Sequence, residues 1–474
     1  MKSRWRYRGV RTRQVGVEIG TAAPAAAARR YLIWLDAAFL LLSPVAAWAV
    51  LQINLINQAG YLDPWLYTGY GQVFEQLVQT YGWRYYALRF PVIFLNSLCC
   101  SGDAPVVGYA LLRYGLFLVA GVPLYLLGRR HFGRTIAVCS YLFLLCNPLF
   151  LRLLLWDLTP FVSIPAALAG ISVWMLADRH RMSGRCLAGA LFAVSIGAHV
   201  FTATAIACFL LVDTVFTLRT GEYRQKLVRD LACAALGAAI VVALGVVFYR
   251  VRIGAFDPRL LVTENLLAMR AGNSYVTSHA EPLLRWTLTA TYACVPLVLL
   301  GATTALRRAQ PPSPIDDRIL WFLAVYCAFY VAYCFIFGSF VIENFYYFHH
   351  LTIPVYLAVP LVVSMLARIA GSAVPVSIAF SLGLLLPVFA LRIDFDRAGA
   401  FLQPAYGSLS RMSAFWVLSA LLVILIAIRR LPRSAVWAAA FLLARASLTG
   451  KPVTCLIRGC TSWDRLIFRR QARP

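Results

Sequence analysis

Long apolar segments recur along nearly the whole chain, and they constrain its fold more than any other feature of the sequence. Segments such as 31–54, 104–127 and 231–249 are long enough to cross a hydrocarbon layer of about 30 Å, which takes roughly 20 helical residues. About twelve such segments follow one another with short gaps. Because only helices and closed barrels satisfy all backbone groups in lipid, we predict an all-α integral membrane protein.

The composition excludes a soluble globular protein. Of the 474 residues, 61% are hydrophobic and 13% are charged, whereas a soluble domain carries about 25% charged residues. We expect a polytopic transmembrane domain over 31–430, after a basic, disordered cytoplasmic N-terminus at 1–30 and before a basic C-terminal tail at 431–474.

The formal net charge of +25 is interpreted by the position of the basic residues. Most of the 44 Lys and Arg residues fall in segments that a twelve-span topology places on one side of the membrane. Because Lys and Arg accumulate in cytoplasmic loops, we predict a multi-pass protein of the inner (plasma) membrane with both termini in the cytoplasm. This topology accounts for the charge, so we expect no nucleic-acid partner.

The segment between the first two predicted spans, 55–98, is too polar to cross a membrane. Asp63 and Pro64 form a helix-start signal, with an N-cap carboxylate followed by proline at the first helical position. The apolar residues that follow predict an amphipathic helix along the membrane surface. Asp63 is the leading catalytic candidate, and a helix cap is the alternative role, which is compatible with catalysis.

Further candidates fall on the same predicted extracytoplasmic face. Asp157 directly follows the third predicted span and is either a second catalytic carboxylate or a helix cap. Arg84 and Arg89 flank an aromatic cluster and are either phosphate ligands or interfacial anchors. The remaining candidate substrate contacts are Tyr67, His199, Asn344 and Tyr347. For His199, a packing role is the alternative.

This arrangement resembles the C-superfamily of membrane glycosyltransferases (GT-C), which includes protein mannosyltransferases and aminoarabinose transferases. The matching positions are Asp63 in LDPWLYTGY, Asp157 in LLLWDLTPF and Arg89 in YYALRFP. The resemblance covers roughly residues 31 to 250 and implies surface helices in the first extracytoplasmic loop. It also implies transfer of a sugar from a polyprenyl-phosphate donor to a lipid, glycan or protein acceptor.

The first-loop signature of that superfamily is often a pair of acids, whereas Pro64 follows Asp63 here. The departure favours a single carboxylate that acts as a general base. A divalent cation, Mg or Mn, stays open as a cofactor.

Two other classes of protein are compatible with the spans. A transporter or lipid flippase usually places its binding residues at mid-membrane on broken helices, often in repeated halves. Here the acids lie at span ends and the halves show no repeat, which favours the enzyme. A non-catalytic scaffold would use the polar loop at 55–98 as a docking surface.

Overall fold

The computed structural model describes residues 22–50, 62–84, 86–100, 104–155, 160–177, 182–219, 224–254, 256–264, 267, 314–337 and 345–370. Within these ranges every regular element is a helix, as the sequence predicts. The predicted spans at 286–306, 373–391 and 413–428 lie outside the described residues. The count of twelve spans therefore stays a prediction.

Thirteen helices are described here in chain order. They are α1 (Ala22–Val50), α2 (Leu62–Gln72), α3 (Phe74–Tyr81), α4 (Phe90–Cys100), α5 (Pro105–Phe132), α6 (Arg134–Cys146), α7 (Pro148–Leu155), α8 (Pro160–Leu176), α9 (Met182–Ala198), α10 (Thr202–Arg219), α11 (Arg224–Ile253), α12 (Pro314–Phe337) and α13 (Phe345–Ala370). Four of them, α1, α5, α10 and α11, are long and apolar enough to cross a membrane. These helices support the predicted membrane class.

The chain divides into two units, residues 1–46 and 47–474. In the second unit α8 is the central helix, because nearly all of its residues are buried. It packs against α5, α9 and α13, while α11 packs on α9 and α12 lies between α10 and α13. Small residues allow the close approach of α9 and α11, since a Cβ on Gly189 would overlap the carbonyl of Ala234.

The predicted loop at 55–98 folds into three helices, α2, α3 and α4. The helical geometry is interrupted at Val73, between α2 and α3. The C-cap of α3 is Gly82, whose φ of 72° is the left-handed conformation that favours glycine. Because α2 begins at Leu62, Asp63 lies in its first turn and not at the predicted N-cap position. Helix ends commonly differ by one or two residues according to which terminal hydrogen bonds form.

The predicted span at 135–155 consists of two helices, because α6 ends at Cys146 and α7 begins at Pro148. Proline disfavours helical geometry in the residue before it. Asn147 takes the N-cap position of α7, where its Oδ1 accepts a hydrogen bond from the backbone N of Phe150 at 3.0 Å. The hydroxyl of Tyr356 on α13 also donates to this oxygen, at 3.4 Å.

The sequence also predicts that 186–216 forms two spans with a tight turn near 197–202. The turn is confirmed, since α9 ends at Ala198 and α10 begins at Thr202, whereas the crossing of the membrane by both helices stays a prediction. The turn is held by hydrogen bonds from the backbone N of His199 to Ser195 O at 2.9 Å and from Thr202 Oγ1 to His199 O at 2.5 Å.

Candidate functional site

Arg89 is the residue directly before α4, and its position is fixed by the start of that helix. Its carbonyl accepts hydrogen bonds from the backbone N of Val92 and of Ile93, at 3.0 and 3.1 Å. The residue is only 6% exposed. Arg84, the other predicted phosphate ligand, is exposed, and its Nε donates to Tyr81 O at 3.2 Å. The two arginines therefore occupy different environments, one buried and one at the surface.

His199 is buried in the turn between α9 and α10, next to a second buried histidine. The ring of His350, on α13, lies 4.7 Å from the ring of His199, with 39° between the ring planes. The two residues are 5% and 0% exposed. Phe201 meets the His350 ring edge-on, at 5.1 Å between centroids. The fold thus brings together two histidines that are 151 positions apart in sequence.

Arg89 lies in the same region, because a Cβ on Gly197, two residues before His199, would be 3.2 Å from Cγ of Pro91, two residues after Arg89. Burial lowers the pKa of His199 well below its usual range, and the nearby His350 and Arg89 lower it further. A neutral imidazole is therefore the favoured form of His199 at neutral pH. We call Arg89, His199 and His350 the Arg–His cluster.

Aromatic side chains pack next to the Arg–His cluster. Tyr249 on α11 interacts electrostatically with Arg89. Its ring stacks on Phe74 of α3 at 5.8 Å and meets Trp83 edge-on at 5.5 Å. On another side, Phe201 contacts Tyr333 of α12 at 5.2 Å between centroids. The cluster therefore lies beside aromatic residues of α3, α11 and α12.

Helix α2 packs against α4. The ring of Tyr67, a predicted substrate contact, is buried at 5.6 Å from that of Tyr86, which is three residues before Arg89. Further along α2, a Cβ on Gly71 would lie 2.8 Å from Cβ of Asn96 in the middle of α4. The two contacts pack α2 against α4 and against the segment that leads to it.

Arg113, which the sequence places inside the second predicted span, is a buried arginine near the contact between α2 and α5. Thr68 Oγ1 and the hydroxyl of Tyr109 on α5 are 2.7 Å apart. The guanidinium of Arg113, one turn further along α5, is 5.6 Å from the centre of the Tyr109 ring. Arg113 is 1% exposed. These contacts attach α2 to α5.

Several predicted site residues cannot be placed relative to the Arg–His cluster. Asp157 and Asn344 lie outside the described residues. For Asp63 in α2 and Tyr347 in the first turn of α13, the backbone is described and the side chain is not. Their proposed roles stay predictions.

A second polar network lies near the other ends of these helices. Asp213 accepts a hydrogen bond from Trp174 Nε1 at 2.9 Å and pairs with Arg318 at 2.9 Å. Arg185 stacks over the Trp174 ring at 4.1 Å and pairs with Asp230 at 3.4 Å. Asp213 is eleven residues into α10, about 17 Å from the His199 turn at the helical rise per residue. No local pattern of the sequence predicts this network.

The chemistry of the Arg–His cluster favours an anionic ligand. Guanidinium donates hydrogen bonds in a planar fork that matches a carboxylate or a phosphate, and it accepts none. Within the described part of the chain, no group of three His, Cys, Asp or Glu side chains could hold a metal ion. An oxyanion, and phosphate in particular, is the ligand type that these three side chains suit best.

The helices are those of an α-helical membrane protein, and they bury the Arg–His cluster beside the turn between α9 and α10. Comparisons with protein-family models, with curated proteins and with solved structures find no match to this chain. Because one fold can serve several activities, function is argued from the site.

Proposed function

We propose that this protein is a membrane glycosyltransferase that moves a sugar from a polyprenyl-phosphate donor to a lipid, glycan or protein acceptor. The reaction would occur at the extracytoplasmic face of the inner membrane. The observation that carries this proposal is the buried Arg89 at the start of α4, in the same environment as His199.

Arg89 is suited to hold the phosphate of the donor. Interactions between charges are stronger in a buried site than in water, because the effective dielectric constant is lower. A guanidinium can bind two phosphate oxygens at once, which fixes orientation as well as charge. The lipid chain of the donor would lie in the membrane beside the bundle, so that its headgroup reaches the end where α4 begins. Arg84, exposed near the same segment, stays a predicted second contact.

Asp63 is the proposed general base. The bond between the anomeric carbon and the phosphate oxygen breaks, and its electron pair stays on the phosphate. The acceptor hydroxyl oxygen bonds to the anomeric carbon, and its proton passes to the Asp63 carboxylate. Asp63 precedes Tyr67 by one turn of α2, and Tyr67 packs on the segment that leads to Arg89. Asp157 is the proposed second carboxylate of the site.

The test is a mass profile of cell-envelope glycans and glycolipids in the native host without this gene. The deletion strain is complemented at equal membrane abundance with wild type, with Asp63→Asn or with Asp257→Asn. Asp257 is a matched control because it is an exposed acid whose Oδ1 accepts a hydrogen bond from the neighbouring Arg259 N at 2.9 Å.

We expect a sugar modification to disappear in the deletion strain and to return with wild type and Asp257→Asn only. If Asp63→Asn restores it fully, Asp63 is not the base. If the deletion leaves every glycan unchanged, the transferase proposal is wrong, and the transporter or flippase becomes the better interpretation.

A further inference from the structure

The Arg–His cluster contains three side chains from three parts of the chain, and each is positively charged when it is protonated. Arg89 directly precedes α4, His199 lies three residues before α10 begins, and His350 lies in the second turn of α13. The N-terminal ends of α4 and α10 carry partial positive charge, whereas the C-terminal end of α9 at Ala198 carries partial negative charge next to His199. The attraction for an anion at this position therefore comes mainly from the three side chains.

The groups around the cluster determine how it responds to protons. The charged and titratable side chains that the described helices place around His199, directly or through Phe201 and Arg89, are His350, Arg89, Tyr249, Tyr330 and Tyr333. Near the turn, α8 and α9 are joined by a hydrogen bond that Ser195 Oγ donates to Ser163 O at 2.7 Å. The two groups of this set that titrate near neutral pH are the imidazoles.

We propose that Arg89, His199 and His350 form a phosphate-monoester site that takes up one proton when its ligand binds. Two adjacent imidazoles beside a guanidinium disfavour protonation when no anion is bound. A phosphate dianion reverses this preference, because one imidazolium together with the guanidinium matches its two charges. The proton is shared by the imidazole pair, whose rings are 4.7 Å apart.

The natural ligand would be the free lipid phosphate that transfer releases, and this identification rests on the proposed function. The sugar donor is a phosphodiester with one negative charge. When its bond to the anomeric carbon breaks, the electron pair stays on the phosphate oxygen, and the product is a monoester with a second charge. The site would therefore bind the product more tightly than the donor, and increasingly so at lower pH.

The inference is tested by calorimetric titration of the purified full-length protein in lipid nanodiscs with a long-chain alkyl phosphate. The control ligand is the methyl diester of the same alkyl phosphate. Titrations at about pH 8, well above the second phosphate pKa of about 6, start from the dianion. Repeating them in buffers of different ionisation enthalpy gives the number of protons taken up.

We expect wild type to take up one proton with the monoester and none with the diester. Its affinity for the monoester should then rise by up to about tenfold for each pH unit of acidification in this range. Arg89→Gln should abolish binding of both ligands. The double variant His199→Gln, His350→Gln should bind the monoester more weakly, without proton uptake.

His131→Gln is the matched control, because His131 lies at the far end of α5, in the last turn of that helix. It should bind and take up the proton as wild type does. Binding of the monoester by wild type without proton uptake, or uptake that persists in the double histidine variant, would overturn the inference. Failure of wild type to bind the monoester would also overturn it.

The two proposals fail separately. If the monoester binds with proton uptake while the glycan profile of the deletion strain is unchanged, the site exists and the transferase proposal is wrong. If a sugar is lost in the deletion strain and no proton is taken up, the transferase stands and the inference about the histidines is wrong.

Discussion

At the scale of single residues, Arg84 and Arg89 differ in how far their side chains are buried. Both are arginines beside the same aromatic segment, yet one is exposed and the other is 6% exposed. Arginine at a membrane boundary is ordinary, because its stem can lie along apolar surface while the guanidinium reaches water. A buried guanidinium next to a histidine pair is a stronger indication of a ligand site.

Replacing Arg89 by lysine should raise the KM for the polyprenyl-phosphate donor by about tenfold or more. Lysine keeps the charge but loses the bidentate contact, and a hydrogen bond to a charged group contributes about 1.5–3 kcal/mol. Transfer kinetics at saturating acceptor measure the effect. Arg250→Lys is the control, since Arg250 is exposed near the end of α11. An unchanged KM in Arg89→Lys would remove Arg89 from the donor site.

The ion pair between Glu75 on α3 and Arg252 on α11 should make stability depend on pH. The hydrogen bond from Arg252 lowers the pKa of Glu75 below its usual 4.5. Since the folded-state pKa is lowered, the stabilisation is present above pH 4.5 and is lost as pH falls through the folded-state value. Both side chains are partly exposed, so solvent screening limits the contribution to about 0.5 kcal/mol.

Thermal unfolding of wild type and of Glu75→Gln checks this expectation. Glu75→Gln should unfold at a slightly lower temperature at neutral pH, and the difference should vanish in acid. A difference that is constant from neutral to acidic pH would contradict the role of the ion pair. The comparison is between two pH values of the same two proteins, so it needs no further reference variant.

At the scale of helices, the interface between α9 and α11 depends on residues without side-chain bulk. A Cβ on Gly189 would overlap the carbonyl of Ala234, and one on Gly237 would overlap that of Cys186. In contrast, a Cβ on Gly115 of α5 would meet nothing within 4 Å. The same residue type thus has a packing role at one position and none at another.

Gly189→Ala should therefore destabilise the protein by about 1–3 kcal/mol, since an added methyl group forces the two backbones apart. Gly115→Ala should be neutral or slightly stabilising, because alanine favours helix over glycine. Thermal unfolding in the same detergent measures both. Equal unfolding temperatures for the two variants would show that α9 and α11 are not closely packed.

At the scale of the whole molecule, two polar clusters lie near opposite ends of a set of antiparallel helices. The Arg–His cluster holds the turn between α9 and α10 beside α13 and the start of α4. The network of Trp174, Arg185, Asp213, Asp230 and Arg318 joins α8 to α12 at the other end. The Arg–His cluster has the side chains of a ligand site. The second network consists of paired opposite charges, which hold the helices together.

Asp213→Asn should lower the stability of the whole bundle, because it leaves the Arg318 guanidinium and the Trp174 indole with a weaker partner. Loss of charge-assisted hydrogen bonds costs about 1.5–3 kcal/mol. The expected readout is a single transition at lower temperature, with monoester binding intact at temperatures where the variant is folded. Arg219→Gln, at an exposed position in the last turn of α10, is the control.

Unchanged stability of Asp213→Asn would show that the network does not hold the helices together. Loss of monoester binding in the folded variant would indicate coupling between the two ends of the bundle. Such coupling is expected of a transporter and not of the proposed enzyme.

The sequence by itself determined the class of fold. Apolar length and composition require helices in a membrane, and the pattern of 186–216 also predicted the turn that carries His199. These features are local, because a span is defined by the lipid that surrounds its own residues. The sequence also marked Arg89 and Tyr67 as candidates from their polar and aromatic surroundings, without indicating which side chains are buried.

Only the tertiary structure decided which of these residues meet. His199 and His350 contact one another because α13 packs against α8 and α10, and no local pattern relates two positions so far apart in the chain. The break at Asn147 was not predicted from the sequence, because the apolar segment continues past it. The helix nevertheless restarts there, at Pro148. Packing between distant helices places the side chains of a site, whereas hydropathy sets only where each helix lies.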